Sequence, residues 1–521
     1  MSLKKLKSHH HHENPLPPPP DYESADLEIF FQIKDAKLTL LNLGTTSLKK
    51  LLEVHAQNFE INYLKQFKKS GMNVNMKSLE VKDFLSFSDQ KLISSTPPKE
   101  IELAENADLI DVKVFILEHD HPKYHETQTN VQVTLEFGYL HLNYKPQIIN
   151  KLLQFFSSSM NENPSIKKKK SLENYQPHPH DHSSPTHTLL NLHINFKQLD
   201  LGFIHAESHA CLAELAFKNI CFRFNQKTHF TELEATLGNI QLFDTTDPKR
   251  VELVGMQNQE DGNLLEINYK SYDRQHPQAQ NQDNIFTFVD INMSNLQINY
   301  IHQLFMRLIG YVQDQLLPSL SADSSQESSN PVVSKEDAEE IVKNPQFMDL
   351  SINVKSPIII LKPLLHQKCQ DYLEIQLGDL KVKTGVNRNS ERLPPANQSV
   401  EFIYCQNYGI NMQNIGIWRV DGENKYRLTQ KVSFNLNLEM PTFTSEYKTL
   451  LSSFDEKMSL QGRMTPLVFV LSDQDLLLIK KVLTFNILYD DGMNHTFEIE
   501  SKRVDQTQVA ETKSSSTNKF I

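Results

Sequence analysis

The apolar alternation of this chain keeps slipping by one residue at a short polar pair, and each time it resumes. The device reads Phe217-Lys218-Asn219-Ile220, Leu237-Gly238-Asn239-Ile240, Met293-Ser294-Asn295-Leu296, Leu377-Gly378-Asp379-Leu380, Met412-Gln413-Asn414-Ile415 and Met76-Lys77-Ser78-Leu79. On either side the apolar residues step by two, which keeps one face of a strand apolar. Across the pair they step by three. An extra residue there predicts a β-bulge or a tight turn, and Gly, Asn and Asp tolerate the left-handed backbone such a place needs. Bulges bend a sheet, so a long antiparallel sheet bent repeatedly in one sense becomes a trough with one greasy face.

The chain has 521 residues, too many for one ordinary core, and two to four domains or repeats are expected. Hydrophobic residues make up 39% and charged residues 22%, a globular composition diluted by polar linkers. With only 15 Gly, a collagen, a glycine-rich low-complexity chain and a Rossmann-type enzyme are disfavoured. A net charge of −11 gives no electrostatic reason to expect nucleic acid. The four cysteines (Cys211, Cys221, Cys369 and Cys405) form no C-x-x-C pair and fit a reducing compartment. Residues 1–20 hold no apolar stretch suited to a signal peptide, and no stretch approaches the roughly 20 apolar residues of a membrane helix. A cytoplasmic protein that touches membranes peripherally is the expectation.

Strand-like runs cluster in three blocks. Leu27, Ile29, Phe31 and Ile33 alternate, then Ala36, Leu38 and Leu40; Val131, Val133, Leu135 and Phe137 lead across Gly138-Tyr139 into Leu140, Leu142 and Tyr144. The period then changes. Ile148, Ile149, Leu152, Leu153 and Phe156 share one helical face behind Pro146, which suits a first turn. The same strand-to-helix ending recurs 156 positions later, where Leu296, Ile298 and Tyr300 precede Leu304, Phe305, Leu308, Ile309 and Val312. A third copy runs from Leu467, Phe469 and Leu471, with Asp473 as expected N-cap, into a helix over Leu476 to Leu488. The pattern predicts a disordered N-terminus over 1–25, β-groove modules with closing helices over 26–160, 188–317 and 347–490, a linker over 161–187, an acidic Ser-rich linker over 318–346, and an end segment with a polar tail over 491–521.

Chemistry-bearing clusters are sparse. His119, His121 and His125 lie close together, as do His178, His180, His182 and His187, but both groups fall in polar stretches without cysteine partners, and solvated loops are expected rather than zinc. No G-x-S-x-G, H-E-x-x-H or P-loop occurs, so no catalytic site, metal or cofactor is expected. Lys167 to Lys170 could draw anionic lipid, though a solvated linker is the plainer reading. The residues alone leave two solutions open for the apolar rows. They could face each other across a β-sandwich, or they could line a trough that binds lipid.

A resemblance separates the two. Ser351-Ile-Asn-Val-Lys-Ser-Pro-Ile-Ile-Ile-Leu361, followed by Tyr372-Leu-Glu-Ile-Gln-Leu-Gly-Asp-Leu-Lys-Val382, resembles a signature of the chorein family, the vacuolar-protein-sorting-thirteen proteins, which are bridge-like lipid transfer proteins. Asn130 to Phe156 and Met464 to Leu471 with its helix look like the family's strand-plus-helix closing segments. Neither an N-terminal chorein cap near Met1 nor C-terminal adaptor domains are expected from the residues, so a middle piece, a truncated gene model or a short relative is the expectation. The resemblance implies a mainly β fold, an elongated, curved antiparallel sheet with a hydrophobic floor. Its expected partners are glycerophospholipids, membranes and adaptor proteins at organelle contact sites. The expected floor is Leu135, Phe137, Leu192, Ile194, Phe196, Phe217, Ile220, Phe222, Phe224, Leu237 and Ile240, then Ile291, Met293, Leu296, Ile298, Ile352, Val354, Ile358 and Ile360, and finally Leu373, Ile375, Leu377, Leu380, Val382, Phe434 and Leu436. The alternative from another class is a scaffold with a dry β core that binds proteins.

Overall fold

In a computed structural model, 21 strands join into one sheet. The structure describes residues 25–43, 48–84, 91–96, 108–118, 121, 124, 129–145, 188–205, 210–246, 250–257, 262–273, 285–313, 347–363, 371–389, 403–441 and 458–488. The expected disordered N-terminus, both long linkers, the helix over 148–156 and the polar tail lie outside these residues, apart from Ala25.

The strands are long because the alternation runs on through each slip. The first module is built of β1 (Ala25–Leu43), β2 (Leu48–Gln66), β3 (Lys69–Asp83), a row split into β4 (Lys91–Ser94) and β5 (Ile110–Leu117), and β6 (Thr129–Tyr144). Each row pairs antiparallel with the next. The second module repeats the scheme with β7 (Thr188–Ile204), β8 (Cys211–Lys227), β9 (Phe230–Asp244), the split row β10 (Val251–Met256) and β11 (Leu265–Tyr272), and the split row β12 (Ile285–Met293) and β13 (Leu296–Asn299). The third holds β14 (Phe347–Val354) with β15 (Ile358–Leu361), β16 (Asp371–Gln376) with β17 (Asp379–Asn389), and β18 (Ile403–Asp421). β19 (Asn424–Arg427) with β20 (Val432–Pro441), and then β21 (Ser459–Met464), complete it. Each module thus has five rows.

The five-row count has a consequence that strand patterning alone did not reveal. An odd number of antiparallel rows leaves the fifth running the same way as the first. The chain must cross back before the next module, so modules meet in parallel: β6 with β7, and β12 and β13 with β14 and β15. The sheet is therefore antiparallel within modules and mixed overall. At the first junction Phe137 and Phe196 stack with ring centroids 4.1 Å apart. Fifteen rows at about 4.8 Å spacing span roughly 70 Å, and with the usual twist of about 20° per row the sheet coils.

All six slips fall on one seam that crosses the sheet. Lys34 and Asn58, Asn58 and Lys77, Gly138 and Lys197, Lys197 and Asn219, and Asn219 and Gly238 face each other there without ladder pairing, while the pairs on both sides keep a single register. In the split rows the seam is the break itself. It is bridged by backbone bonds such as Gly138 N–H to Leu109 O at 2.9 Å, Leu264 N–H to Gly238 O at 3.1 Å and Lys355 N–H to Met293 O at 2.8 Å. The expected bulges are thus mostly absent as insertions: at most of the slips no single row gains a residue, because its neighbours slip at the same level. A true register shift occurs between Met412 and Ile415 on β18. The expected left-handed residues are present. Asn58, Asn219 and Asn414 have φ of 50°, 54° and 65°, and Gly378 has 87°. A Cβ on Gly378 would lie 2.4 Å from Gln413 O.

Two helices are described, α1 (His302–Tyr311) and α2 (Asp473–Val482), the latter continued by a π turn over Leu483–Ile487. α1 buries Leu304 and Tyr311 while Ile309 stays exposed. The cap of α2 is Ser472 and not Asp473. Ser472 and Asp475 form a capping box, in which the Asp475 N–H donates to the Ser472 hydroxyl at 3.3 Å and the Ser472 N–H to the Asp475 carboxylate at 2.7 Å.

Asn219 is exposed, so its conformation is what the seam requires of it. We expect Asn219→Val to lower stability by about 1–2 kcal/mol, the strain of a β-branched residue in left-handed backbone, and Asn219→Gly to be tolerated. Chemical denaturation of both variants checks this; equal midpoints for Val and wild type would contradict the seam geometry.

Candidate functional site

Pairing register sorts the side chains of each row onto two faces. Phe196 sits opposite both Phe137 and Ile220, and Ile220 opposite Leu237, so apolar residues meet apolar residues on every neighbour. The same line runs on through Leu265, Met293, Val354, Leu380, Met412, Phe434 and Met464. On the other side of the seam, Leu140, Leu199, Phe217 and Ile240 form the matching line. In an uninterrupted strand a step of three would send these apolar residues to the opposite face. The residue that drops out of the ladder at the seam restores them, so the apolar surface is continuous across it.

Twenty-three of the expected floor residues keep this apolar register. Ile358 and Ile360 do not. They pair with Gln297 and Asn299 on one side and with Gln376 and Glu374 on the other, so they belong to the polar face, and Ile359 takes the apolar position beside Ile298 and Ile375. The run of three isoleucines hid this, because period two cannot be read from uninterrupted apolar residues. Both are nonetheless buried, at 6% and 9% exposure. Leu377 lies on the seam between β16 and β17 and is 40% exposed.

Burial distinguishes this face from a packed core. Of the expected floor residues, all but Ile358, Ile360, Leu373 and Leu377 are half-buried; among the described residues no second sheet covers them, and the helical cluster packs against Ile375. A sandwich would bury such residues between two sheets. Here all described strands belong to one sheet.

The helices cover the apolar face at one end of the rows. Tyr311 of α1 meets the Phe203 ring edge-on at 5.8 Å, and its hydroxyl donates to Tyr144 O at 3.3 Å. Leu478 and Val482 of α2 join Leu361, Leu373 and Leu428 in a buried cluster, with Tyr300, Ile359, Ile375 and Ile417 against it. Polar latches hold this cover. Asn486 is 6% exposed; its amide donates to Tyr300 O and Lys362 O, both at 2.9 Å, and its oxygen accepts the His302 N–H at 2.9 Å. That last bond caps α1, whose own cap residue Ile301 offers no side chain for it. Arg419 reaches Asp475 at 3.2 Å and Gln474 at 3.0 Å. Sequence reasoning missed Asn486 and Arg419, and a lone Asn or Arg carries no periodic signal.

The opposite face is polar and laced with ion pairs, such as Lys113–Asp111 at 2.6 Å, Lys270–Glu232 at 2.7 Å and Arg250–Glu214 at 2.7 Å. Among the described residues, His141, Asp200 and Glu214 bring their ligand atoms within 4.8 Å of one another on this face. Protein groups engage all three. The Gln198 amide donates to both Asp200 oxygens at 2.9 and 3.1 Å, Arg250 donates to Glu214, and His141 bonds Asn143 at 3.1 Å. Of the histidines expected in solvated loops, His121 is buried at 2% exposure, whereas His119, His125 and the group from His178 to His187 lie outside the described residues.

No family model matches this chain, and no curated protein does. No helix among the described residues is long and apolar enough to cross a membrane.

Two outcomes test the helical cover. Asn486→Ala removes three part-buried bonds at about 1 kcal/mol each, and we expect thermal unfolding to begin several degrees lower, with the His302 amide exchanging faster. Burial pushes the Asp475 carboxyl up, but Ser472 and Arg419 outweigh it and hold the group below its ordinary value. A lowered carboxyl stabilises the fold above the unfolded value of about 3.9, and that contribution is lost as pH falls through the lower folded value. Amide exchange in α2 should therefore be flat from pH 7 to 5, after correction for intrinsic rates. It should rise below about pH 4, and less so in Asp475→Asn.

Proposed function

We propose that this protein is a bridge-like lipid transfer protein of the chorein type, in which glycerophospholipids move passively along the apolar face between two membranes. The observation that carries the reading is the half-buried, continuous apolar face of fifteen rows, to which no described sheet is apposed. Carrying an acyl chain through water costs about 0.8 kcal/mol for each CH₂ removed from its bilayer. An apolar floor that accepts the chains while headgroups stay in water removes most of that cost. Such a floor needs width and continuity and no reacting group, so the reading is non-catalytic. The polar, ion-paired back of the sheet suits contact with water. The membranes joined would be those of organelles at contact sites, with adaptor proteins choosing them.

Phe222 offers the sharpest test, since it lies in the middle of the apolar face opposite Ile194 and Ala235. In a dry core a carboxylate there would be an unpaired buried charge and would unfold the module. In an open trough it reaches water. We expect Phe222→Glu to cut phospholipid transfer between liposomes at least several-fold while the melting temperature moves by only a few degrees. Wild-type protein should also co-purify with phospholipid seen by mass spectrometry and, once delipidated, take up a fluorescent phospholipid. Global unfolding of Phe222→Glu, or a folded wild type that takes up no lipid, would favour the dry scaffold.

A further inference from the structure

Among the described residues the two outer rows of the sheet each keep one unpaired edge, and these edges match. The last row extends past β21: Thr465 N–H donates to Ser433 O, Gln430 N–H to Val468 O and Val470 N–H to Leu428 O, so 459–471 runs as one line beside β20 and its approach. No described strand pairs with its other edge, nor with the outer edge of β1. Proteins protect long edges with charge, bulges or cover. Within 459–471 the protection is thin, Arg463 as the only charged residue and Pro466 as the only position without an N–H, while Leu460, Met464, Phe469 and Val470 are 51–66% exposed. On β1 the charges Asp26, Glu28, Lys34, Asp35 and Lys37 are interleaved with Ile29, Phe30, Phe31 and Leu38, which are 49–61% exposed.

The match lies in the slip. At most row contacts in this sheet, including both parallel junctions, the apolar positions of the two rows break step at the same level. At the β6–β7 junction, Val133, Leu135 and Phe137 pair with Leu192, Ile194 and Phe196 before the seam, and Leu140, Leu142 and Tyr144 with Leu199, Leu201 and Phe203 after it. The last row steps by two from Leu460 to Met464, by three to Leu467, then by two to Leu471; β1 steps by two to Ile33, by three to Ala36, then by two to Leu40. A fifth row of this kind accepts a first row in parallel twice within the chain.

We propose that row 459–471 pairs in parallel with β1 of a second copy of this chain, joining copies head to tail with Met464 opposite Ile33. The contact is heterologous, so it leaves a free edge at each end and can repeat. It would carry the apolar face from one copy to the next, and it stands on edge geometry whether or not that face carries lipid.

The test uses the full chain in two blocked forms, Ile29→Lys with Phe31→Lys on one edge and Leu460→Lys with Met464→Lys on the other, each checked for its β spectrum. By light scattering, wild type should give masses rising with concentration in multiples of 60.2 kDa. Each blocked form should stay at the single-chain mass, and an equal mixture should form a two-chain species, because each form keeps one live edge. A wild type that stays single at about 100 μM, a blocked form that still self-associates, or a mixture that does not combine would each overturn the proposal. If either blocked form misfolds, Ile33→Cys and Met464→Cys chains take its place. Mild oxidation should cross-link that mixture at least five-fold more than Ile29→Cys with Met464→Cys, and equal yields would overturn the register.

Discussion

Everything in this sheet depends on a shared break in phase. A strand whose alternation slips alone would turn half of its apolar side chains toward the wrong neighbours. Here most rows slip at the same level and keep register with their neighbours, and where β18 meets β20 a register shift between Met412 and Ile415 takes up the difference, so the apolar face survives the crossing. The break has a local conformational requirement. Asn58, Asn219, Asn414 and Gly378 meet it with left-handed backbone. Other rows meet it by interrupting the strand, as between β4 and β5 or β16 and β17. Two kinds of local solution serve one global condition.

The second condition is arithmetical. Five antiparallel rows bring the chain to the wrong end to continue, so each module needs a crossing segment, and the next module begins in parallel. The described crossing after the second module begins with α1, and α2 follows the third in the same place. Because both helices fall at the same end of the rows, they gather on the apolar face there. The Asn486 side chain fixes one to the other and to β15. The remainder of the face is left half-buried. Hydrogen bonding between rows, ion pairs on the back and the helical cover hold the sheet, and among the described residues no second sheet covers the middle of the apolar face.

That arrangement gives the lipid-transfer proposal its physical sense. A packed core spends its apolar surface on folding. A sheet that is held by its ladders and its back can leave that surface for a ligand. Among the described residues the same economy leaves two long edges unpaired, and the step of three that recurs inside the chain recurs in both outermost rows.

Much of this was legible in the sequence, and the reason is periodicity. Strand alternation and the step of three identified the rows, the seam and 23 residues of the apolar face, since each is a repeated local pattern. The recurrence of Leu140, Leu142 and Tyr144 as Leu296, Ile298 and Tyr300 marked the modules. What periodicity cannot carry is where a row finds its partner. Ile358 and Ile360 were placed on the wrong face because three adjacent isoleucines have no readable phase, and only pairing with Gln297 and Asn299 decides it. The parallel junctions, the absence of insertions at most slips, and the latch of Asn486 on Tyr300, Lys362 and His302 all join residues far apart in the chain. The sequence by itself determined which side chains travel together along each strand. Only the tertiary structure decided which strands lie side by side, because that choice is made by backbone groups that are alike at every position.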